Sequence, residues 1–145
     1  MKLLIQRVNR VKVEIKAKTF SEIDKGLLLF LGIDKGDSKA DVEHLAYKCI
    51  NMRIFEDDNG KMNLSVLDMN GEILLVPQFT LSANCEKGHR PSFDSAASPE
   101  IAKKLYEEFA HQLQILGIKP KLGSFGSLML IDSVNYGPAT FFLQK

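Results

Sequence analysis

The chain has no tryptophan, only two cysteines and only five prolines. Cys49 and Cys85 lie far apart and form no CxxC pair, which excludes a disulfide scaffold. No secretory leader pattern is present, so both thiols are expected to be reduced and the protein cytoplasmic. Long apolar runs are missing too. The longest, residues 27–33 and 73–77, fall far short of the ~20 residues that span a bilayer as a helix. Charge of one sign is also lacking: 19 Lys+Arg stand against 18 Asp+Glu, a net charge of +1. That balance creates no field that declares a nucleic-acid or membrane partner, although a local basic patch needs no net charge. Neither a membrane nor a DNA partner is expected.

What remains is ordinary globular composition. With 145 residues, 45% hydrophobic and 26% charged, the chain suits a single domain over residues 1–145. A chain of this length buries about 68–70% of its unfolded surface and needs no staple to fold. Disorder, collagen and coiled coil are excluded on the same grounds.

The start is strand-rich. Leu3, Ile5 and Val8, then Val11, Val13 and Ile15, alternate with a slip of phase near Asn9-Arg10, which predicts a bulge or tight turn. Lys18-Thr19 is expected to reverse the chain into a short strand over 20–23. Residues 27–31 form an all-apolar strand buried on both faces, bracketed by Gly32 and Gly36. A helix follows, capped by Asp37 or Ser38, with Val42, Leu45, Ala46, Cys49 and Ile50 as its apolar stripe. Residues 53–55 predict a short strand. Residues 64–67 and 72–78 predict a hairpin joined through Asp68-Met69-Asn70-Gly71. Residues 82–98 form a polar loop long enough to carry function. Ser98-Pro99-Glu100 opens a second helix, whose expected stripe is Ile101, Leu105, Phe109, Leu113 and Leu116, with Gly117 at its end. Strands over 127–134 and 140–143 flank a break at Asn135-Tyr136-Gly137-Pro138. The expected fold class is α+β, a mostly antiparallel sheet or barrel with two main helices packed outside.

Familiar catalytic patterns are absent: there is no P-loop, GxGxxG, HExxH or GxSxG. Cys85 and His89 sit four apart, too few ligands for zinc. They could serve as nucleophile and base, with nothing to orient the base. His44 and His111 read as ordinary helix residues. Two segments are unusual. Pro77 at the end of a buried strand removes a ladder donor, so the strand must stop or become an edge. The N–H groups of Phe79 and Thr80 beyond it are then either a plain strand terminus or the free pair that an oxyanion site needs. Gly137-Pro138 is either a plain turn or a cis peptide whose glycine lets a ligand approach the backbone.

Taken together, Gln6-Arg7-Val8, Arg53-Ile54-Phe55, Gly60-Lys61-Met62-Asn63, Gln78-Phe79-Thr80-Leu81, Gly88-His89-Arg90-Pro91-Ser92-Phe93, Ala97-Ser98-Pro99 and Asn135-x-Gly-Pro-x-Thr140 resemble the D-aminoacyl-tRNA deacylase family over the whole chain. The resemblance implies an editing hydrolase that cleaves the ester of D-aminoacyl-tRNA, and of glycyl-tRNA, with no cofactor and no metal. It implies a homodimer in which a Gly137-cis-Pro138 motif enters the partner's pocket and its carbonyls meet the amino-acid amine. Asn135 and Thr140 belong to that rejecting block, and Arg7 braces it. Gln78, Phe79 and Thr80 form the catalytic block, with the Phe79 and Thr80 N–H groups facing the oxyanion and the ribose 2′-OH assisting. Thr80 Oγ is a nucleophile candidate without a base beside it, so a positioning role is preferred. Phe125 and Met129 are candidates for the adenosine pocket or for core packing. Lys87, His89, Arg90, Lys119 and Lys121 are candidates for RNA contact or for a solvated face.

Three positions depart from the family pattern. Pro77 stands where Ser is usual, as in an animal branch of relaxed chirality that lacks the Phe found here as Phe79. Tyr136 stands where Asp is usual, and Ala139 where Val or a larger residue is usual. Both are expected to loosen the Gly-Pro loop. Two other classes compete: a thiol or threonine hydrolase built on Cys85 or Thr80, and a non-enzymatic RNA-binding module using Lys87, Arg90 and Lys121.

Overall fold

The computed structural model describes residues 1–86 and 88–145. Eight strands and two helices run in the order β1 (Lys2–Ile15), β2 (Lys18–Ile23), β3 (Gly26–Gly32), α1 (Lys39–Ile50), β4 (Phe55–Glu56), β5 (Met62–Leu64), β6 (Glu72–Pro77), α2 (Pro99–Ile115), β7 (Lys121–Leu122) and β8 (Leu130–Gln144). A 3-10 turn, Phe79–Ser82, follows β6. The main sheet runs β2–β1–β3–β6–β7, with β8 on the other edge of β1. Pairings of β1 with β2, β3 and β8 are antiparallel, whereas β3–β6 and β6–β7 are parallel. The Ser21 hydroxyl donates to the Leu122 carbonyl at 2.8 Å and draws β2 toward β7, so the mixed sheet nearly closes into a barrel.

Two cores explain why β3 and β6 are apolar throughout. Leu27, Leu29 and Leu31 of β3, with Ile73 and Leu75 of β6, pack against the helices. Their alternates, Leu28, Leu74 and Val76, join Val8, Val11, Val13 and Ile23 in the barrel interior. Period-two alternation thus feeds both sides of one sheet. The α1 stripe is buried as expected: Val42, Leu45, Ala46, Cys49 and Ile50 all face the core. Desolvation there pushes the Cys49 thiol up to about 12, which makes it inert. The phase slip in β1 is also real, with register shifts against β8 on both sides of Val8.

Several expectations change. The reversal into β2 lies at Lys16-Ala17, one step before Lys18-Thr19, with φ of 51° and 59°. Positive φ at both central residues suits the twist of a two-residue hairpin, here without the Gly or Asn that signals it. Residues 64–67 and 72–78 do not form a hairpin. β5 pairs β4, and β6 runs parallel to β3. Ser65 explains the difference: its N–H and hydroxyl both donate to the Asp68 carboxylate, at 2.8 and 2.7 Å, and wind the chain into a turn. On α2 the buried residues are Tyr106, Phe109 and Leu113, while Ile101 is exposed. Steps of four walk about 40° around a helix each time, so Ile101 leaves the face that Phe109 occupies. Ser98 does cap α2, its side chain accepting from the Ile101 N–H.

Candidate active site

Pro77 ends β6 in a central position of the sheet, facing Leu31. The Gln78 N–H still donates to the Leu31 carbonyl at 2.8 Å, and the chain then turns into the 3-10 segment. Leu81 is the first residue there whose N–H finds a carbonyl, that of Gln78 at 3.2 Å. The N–H groups of Phe79 and Thr80 precede that bond and, among the described residues, meet no acceptor. Gln78 turns its side-chain amide back onto the Thr80 hydroxyl. Phe79 and Thr80 are exposed, and the Phe79 ring meets Phe93 with centroids 5.0 Å apart. Phe93 is brought in by the 82–98 loop, which Asn84 and Ser92 close with reciprocal backbone bonds.

The second block lies on β8. The expected break between two strands is instead a bulge within one assigned strand. Thr140 faces Gln6 and Asn135 faces Val8, so β8 runs from 135 to 140 while β1 covers only 6 to 8. Residues 136–139 therefore stand out of the ladder. The Gly137–Pro138 peptide is cis, and both residues are exposed. A Cβ added at Gly137 would meet only the Asn135 side-chain nitrogen, at 3.9 Å.

Arg7 organises this bulge from below. Its side chain is fully buried. Nε donates to the Tyr136 carbonyl at 2.9 Å, Nη2 to the Gly137 carbonyl at 3.1 Å, and Nη1 to the Ile54 carbonyl at 2.6 Å. One planar guanidinium thereby fixes two successive carbonyls of the bulge. The Tyr136 ring covers its face at 4.1 Å, and the Tyr136 hydroxyl donates to Glu56 at 3.1 Å. Of the two departures in this block, Tyr136 stacks on Arg7 and Ala139 is fully buried.

Within one chain the two blocks are apart. Strand order places β8 three strand spacings from β6, with β1 and β3 between them. Arg7 faces Leu27, which faces Ile73, so Gln78 lies a further ~16 Å along the strands. Phe125 and Met129 are half-buried, Phe125 packed against Tyr106 and Met129 against the barrel interior. Arg90, His89 and Cys85 are exposed in the loop, and His44 and His111 on the helices. Lys119 and Lys121 line a cavity of about 260 Å³ with Glu72, at the far end of β6 from Gln78. Lys87 lies outside the described residues. Glu56 went unnoticed in the sequence; the only signal for it is its place beside Phe55 in the Arg53-Ile54-Phe55 block.

The family model described as D-Tyr-tRNA(Tyr) deacylase matches residues 4–144. This chain belongs to the D-aminoacyl-tRNA deacylase family. A D-aminoacyl-tRNA deacylase of Thermodesulfovibrio yellowstonii is 56% identical over 141 residues, covering 97% of each chain. One from Thermosipho africanus is 52% identical over 145 residues, covering 100% of this chain and 97% of that one. A solved structure named c-Myc DNA Unwinding Element Binding Protein superposes with a TM-score of 0.95 at 38% identity, over 100% of this chain and 99% of that one. A probable eukaryotic D-amino acid tRNA deacylase superposes with a TM-score of 0.81 at 15% identity over 98% of each chain, a likeness of fold. The deacylase is therefore a hydrolase acting on D-aminoacyl-tRNA. No helix among its described residues is long and apolar enough to cross a membrane.

Proposed function

We propose that this deacylase works as a homodimer in which the Gly137–Pro138 bulge of one copy completes the Gln78–Thr80 block of the other. The observation that carries this reading is the separation of the two blocks within a single chain, with the bulge projecting from an exposed strand. The substrate is the ester of a D-amino acid, or of glycine on tRNA(Ala), at the 3′-terminal adenosine.

The chemistry needs little from side chains. An aminoacyl ester is already activated, and the neighbouring 2′-OH orients or activates the water. The N–H groups of Phe79 and Thr80 stabilise the oxyanion. Gln78 holds the Thr80 hydroxyl, which shapes the pocket. Across the interface, carbonyl oxygens of Gly137 and Pro138 accept from the α-ammonium by charge-assisted bonds. Gly137 O already accepts from Arg7, and its second lone pair remains for the amine. With the ammonium fixed, a D side chain points to open space and an L side chain meets backbone, whatever its identity. Glycine has no side chain to reject. Asn135 and Thr140, where the bulge leaves and rejoins the ladder, hold its ends. Phe125 and Met129 line the adenosine site. Arg90, Lys121 and Lys87 contact phosphates.

The test combines substrates and variants. D-Tyr-tRNA is cleaved and L-Tyr-tRNA is spared; inertness toward both rejects the reaction, and equal cleavage rejects the chiral mechanism. Cys85→Ala keeps full activity and Thr80→Ala keeps part of it, which disfavours a protein nucleophile. Phe79→Pro removes one oxyanion donor at the first position of the 3-10 turn, where the lost N–H breaks no hydrogen bond among the described residues. Its rate falls about 10²–10³-fold, while Phe79→Ala retains the donor and most of the rate. Gly137→Ala folds and dimerises but loses D-substrate turnover. Mixing the Phe79→Pro and Gly137→Ala chains restores about a quarter of wild-type activity, because half of random dimers are mixed and each holds one intact site. No restoration on mixing refutes the shared site.

A further inference from the structure

We propose that Tyr136 and Glu56 are positioning residues for stereochemical discrimination: they clamp Arg7 so that the Gly137 carbonyl keeps a single direction. The inference rests on the reading that this carbonyl receives the substrate's ammonium group. Arg7 joins three segments distant in sequence, β1, the Ile54 carbonyl ahead of β4, and the β8 bulge. Its three donated bonds define the plane of the guanidinium but leave both faces to be covered. Tyr136 covers one, with its ring 4.1 Å from the guanidinium carbon. The ring is itself tethered, because its hydroxyl donates to Glu56 Oε2 at 3.1 Å. Glu56 Oε1 lies 3.8 Å from Arg7 Nη2, the same nitrogen that holds Gly137. Among the described residues it is the only carboxylate within ion-pair distance of this buried cation.

The arrangement is a closed cycle: Arg7 to Gly137, the chain back to Tyr136, its hydroxyl to Glu56, and Glu56 to Arg7. A guanidinium stacked on an aromatic ring resists tilting, because tilting loses both the stack and the coplanar fork. Without the ring, water reaches the open face and competes for Arg7, and the Gly137 carbonyl swings with its donor. A swinging acceptor still binds an ammonium, but over a wider range of orientations, and the L side chain gains room. The predicted signature is lost selectivity more than lost chemistry.

The experiment measures kcat and KM for D-Tyr-tRNA and L-Tyr-tRNA with wild type, Tyr136→Phe, Tyr136→Val and Glu56→Gln. Tyr136→Val lowers the D-over-L ratio of kcat/KM about tenfold, the worth of a partly buried cation–aromatic contact. The change appears mainly as a raised kcat/KM for the L substrate, with the D value nearly kept. Tyr136→Phe keeps the stack and recovers most of the ratio; Glu56→Gln, at a half-exposed position, gives an intermediate value without affecting folding. A merely structural role scales both substrates together and leaves the ratio unchanged. An unchanged ratio in Tyr136→Val overturns the inference. Should that variant not fold, an unchanged ratio in Glu56→Gln overturns it. Failure of the underlying reading is distinct: wild type then fails to discriminate, or Gly137→Ala turns over at the wild-type rate.

Discussion

Replacing Arg7 by Met tests whether one buried guanidinium holds the site together. Met fills a similar volume, so the change removes donors and charge without opening a large cavity. The Ile54 carbonyl is the buried acceptor, and leaving it unpaired costs about 1–3 kcal/mol. The Tyr136 and Gly137 carbonyls are partly buried, so water replaces Arg7 there and each loss is about 0.5–1.5 kcal/mol. Losing the stack on Tyr136 adds about 0.5–2 kcal/mol. Against this, Met avoids the cost of keeping a cation out of water, several kcal/mol in a dry site. The half-exposed Glu56 regains its own hydration cheaply. A net destabilisation of about 2–4 kcal/mol follows from these opposing contributions. In urea unfolding at fixed protein concentration, the midpoint should fall by about 1–2 M with an unchanged slope. Arg7→Lys should lose about half as much, since a single ammonium cannot serve all three carbonyls at once. An Arg7→Met variant within about 0.5 kcal/mol of wild type would refute the reasoning, because the carbonyls would then be as well served by water.

Three further outcomes are expected. Gly26→Ala should abolish soluble folding, because its Cβ would lie 1.9 Å from the Glu72 carbonyl oxygen across the parallel β3–β6 pair; normal expression and circular dichroism would contradict the register. Tyr106→Phe should cost about 1–2 kcal/mol in thermal unfolding, since its buried hydroxyl shares its one proton between the Leu75 and Gly123 carbonyls and joins α2 to β6 and to the residue after β7. Asp68→Asn should reduce the acid sensitivity of stability. The Ser65 hydroxyl, and then the Ser65 N–H, hold the Asp68 carboxyl below its ordinary 3.8. Its contribution is therefore present above that value and lost as pH falls through the lower folded-state value. Thermal melts from pH 5 down to pH 2 should decline less steeply for the Asn variant. Parallel declines would show that the carboxylate contributes nothing at that turn.

The separation between the two site blocks has a chemical consequence. In the proposed site, a single chain would offer the oxyanion donors of Phe79 and Thr80 without the proposed amine receptor beside them, and so would lack the means to sense handedness. The proposed receptor stands on a bulge braced by a buried cation, not on the loop at 82–98, so its direction would be set through the sheet. The exposed loop contributes Phe93 beside Phe79.

Local chemistry in the chain determined a good deal by itself. The α1 stripe, the Ser98-Pro99 start of α2, the phase slip in β1 and the stop at Pro77 all follow from periodicity, capping and a missing donor, which act within a few residues. Lys16-Ala17 escaped because its turn lacks the usual residues, and Ser65–Asp68 because a capping pair was read as strand. The parallel seating of β6 on β3 was invisible, since apolar runs buried on both faces carry no sign of direction. The resemblance placed Arg7 at the Gly-Pro block, and the structure agrees; only the tertiary structure decided which carbonyls it serves, that Glu56 and Tyr136 close around it, and that Gln78–Thr80 sits strands away. The reason is physical. Sequence periodicity states which residues must be buried, but a buried cation finds its acceptors through the register of strands that meet only once the whole sheet has closed.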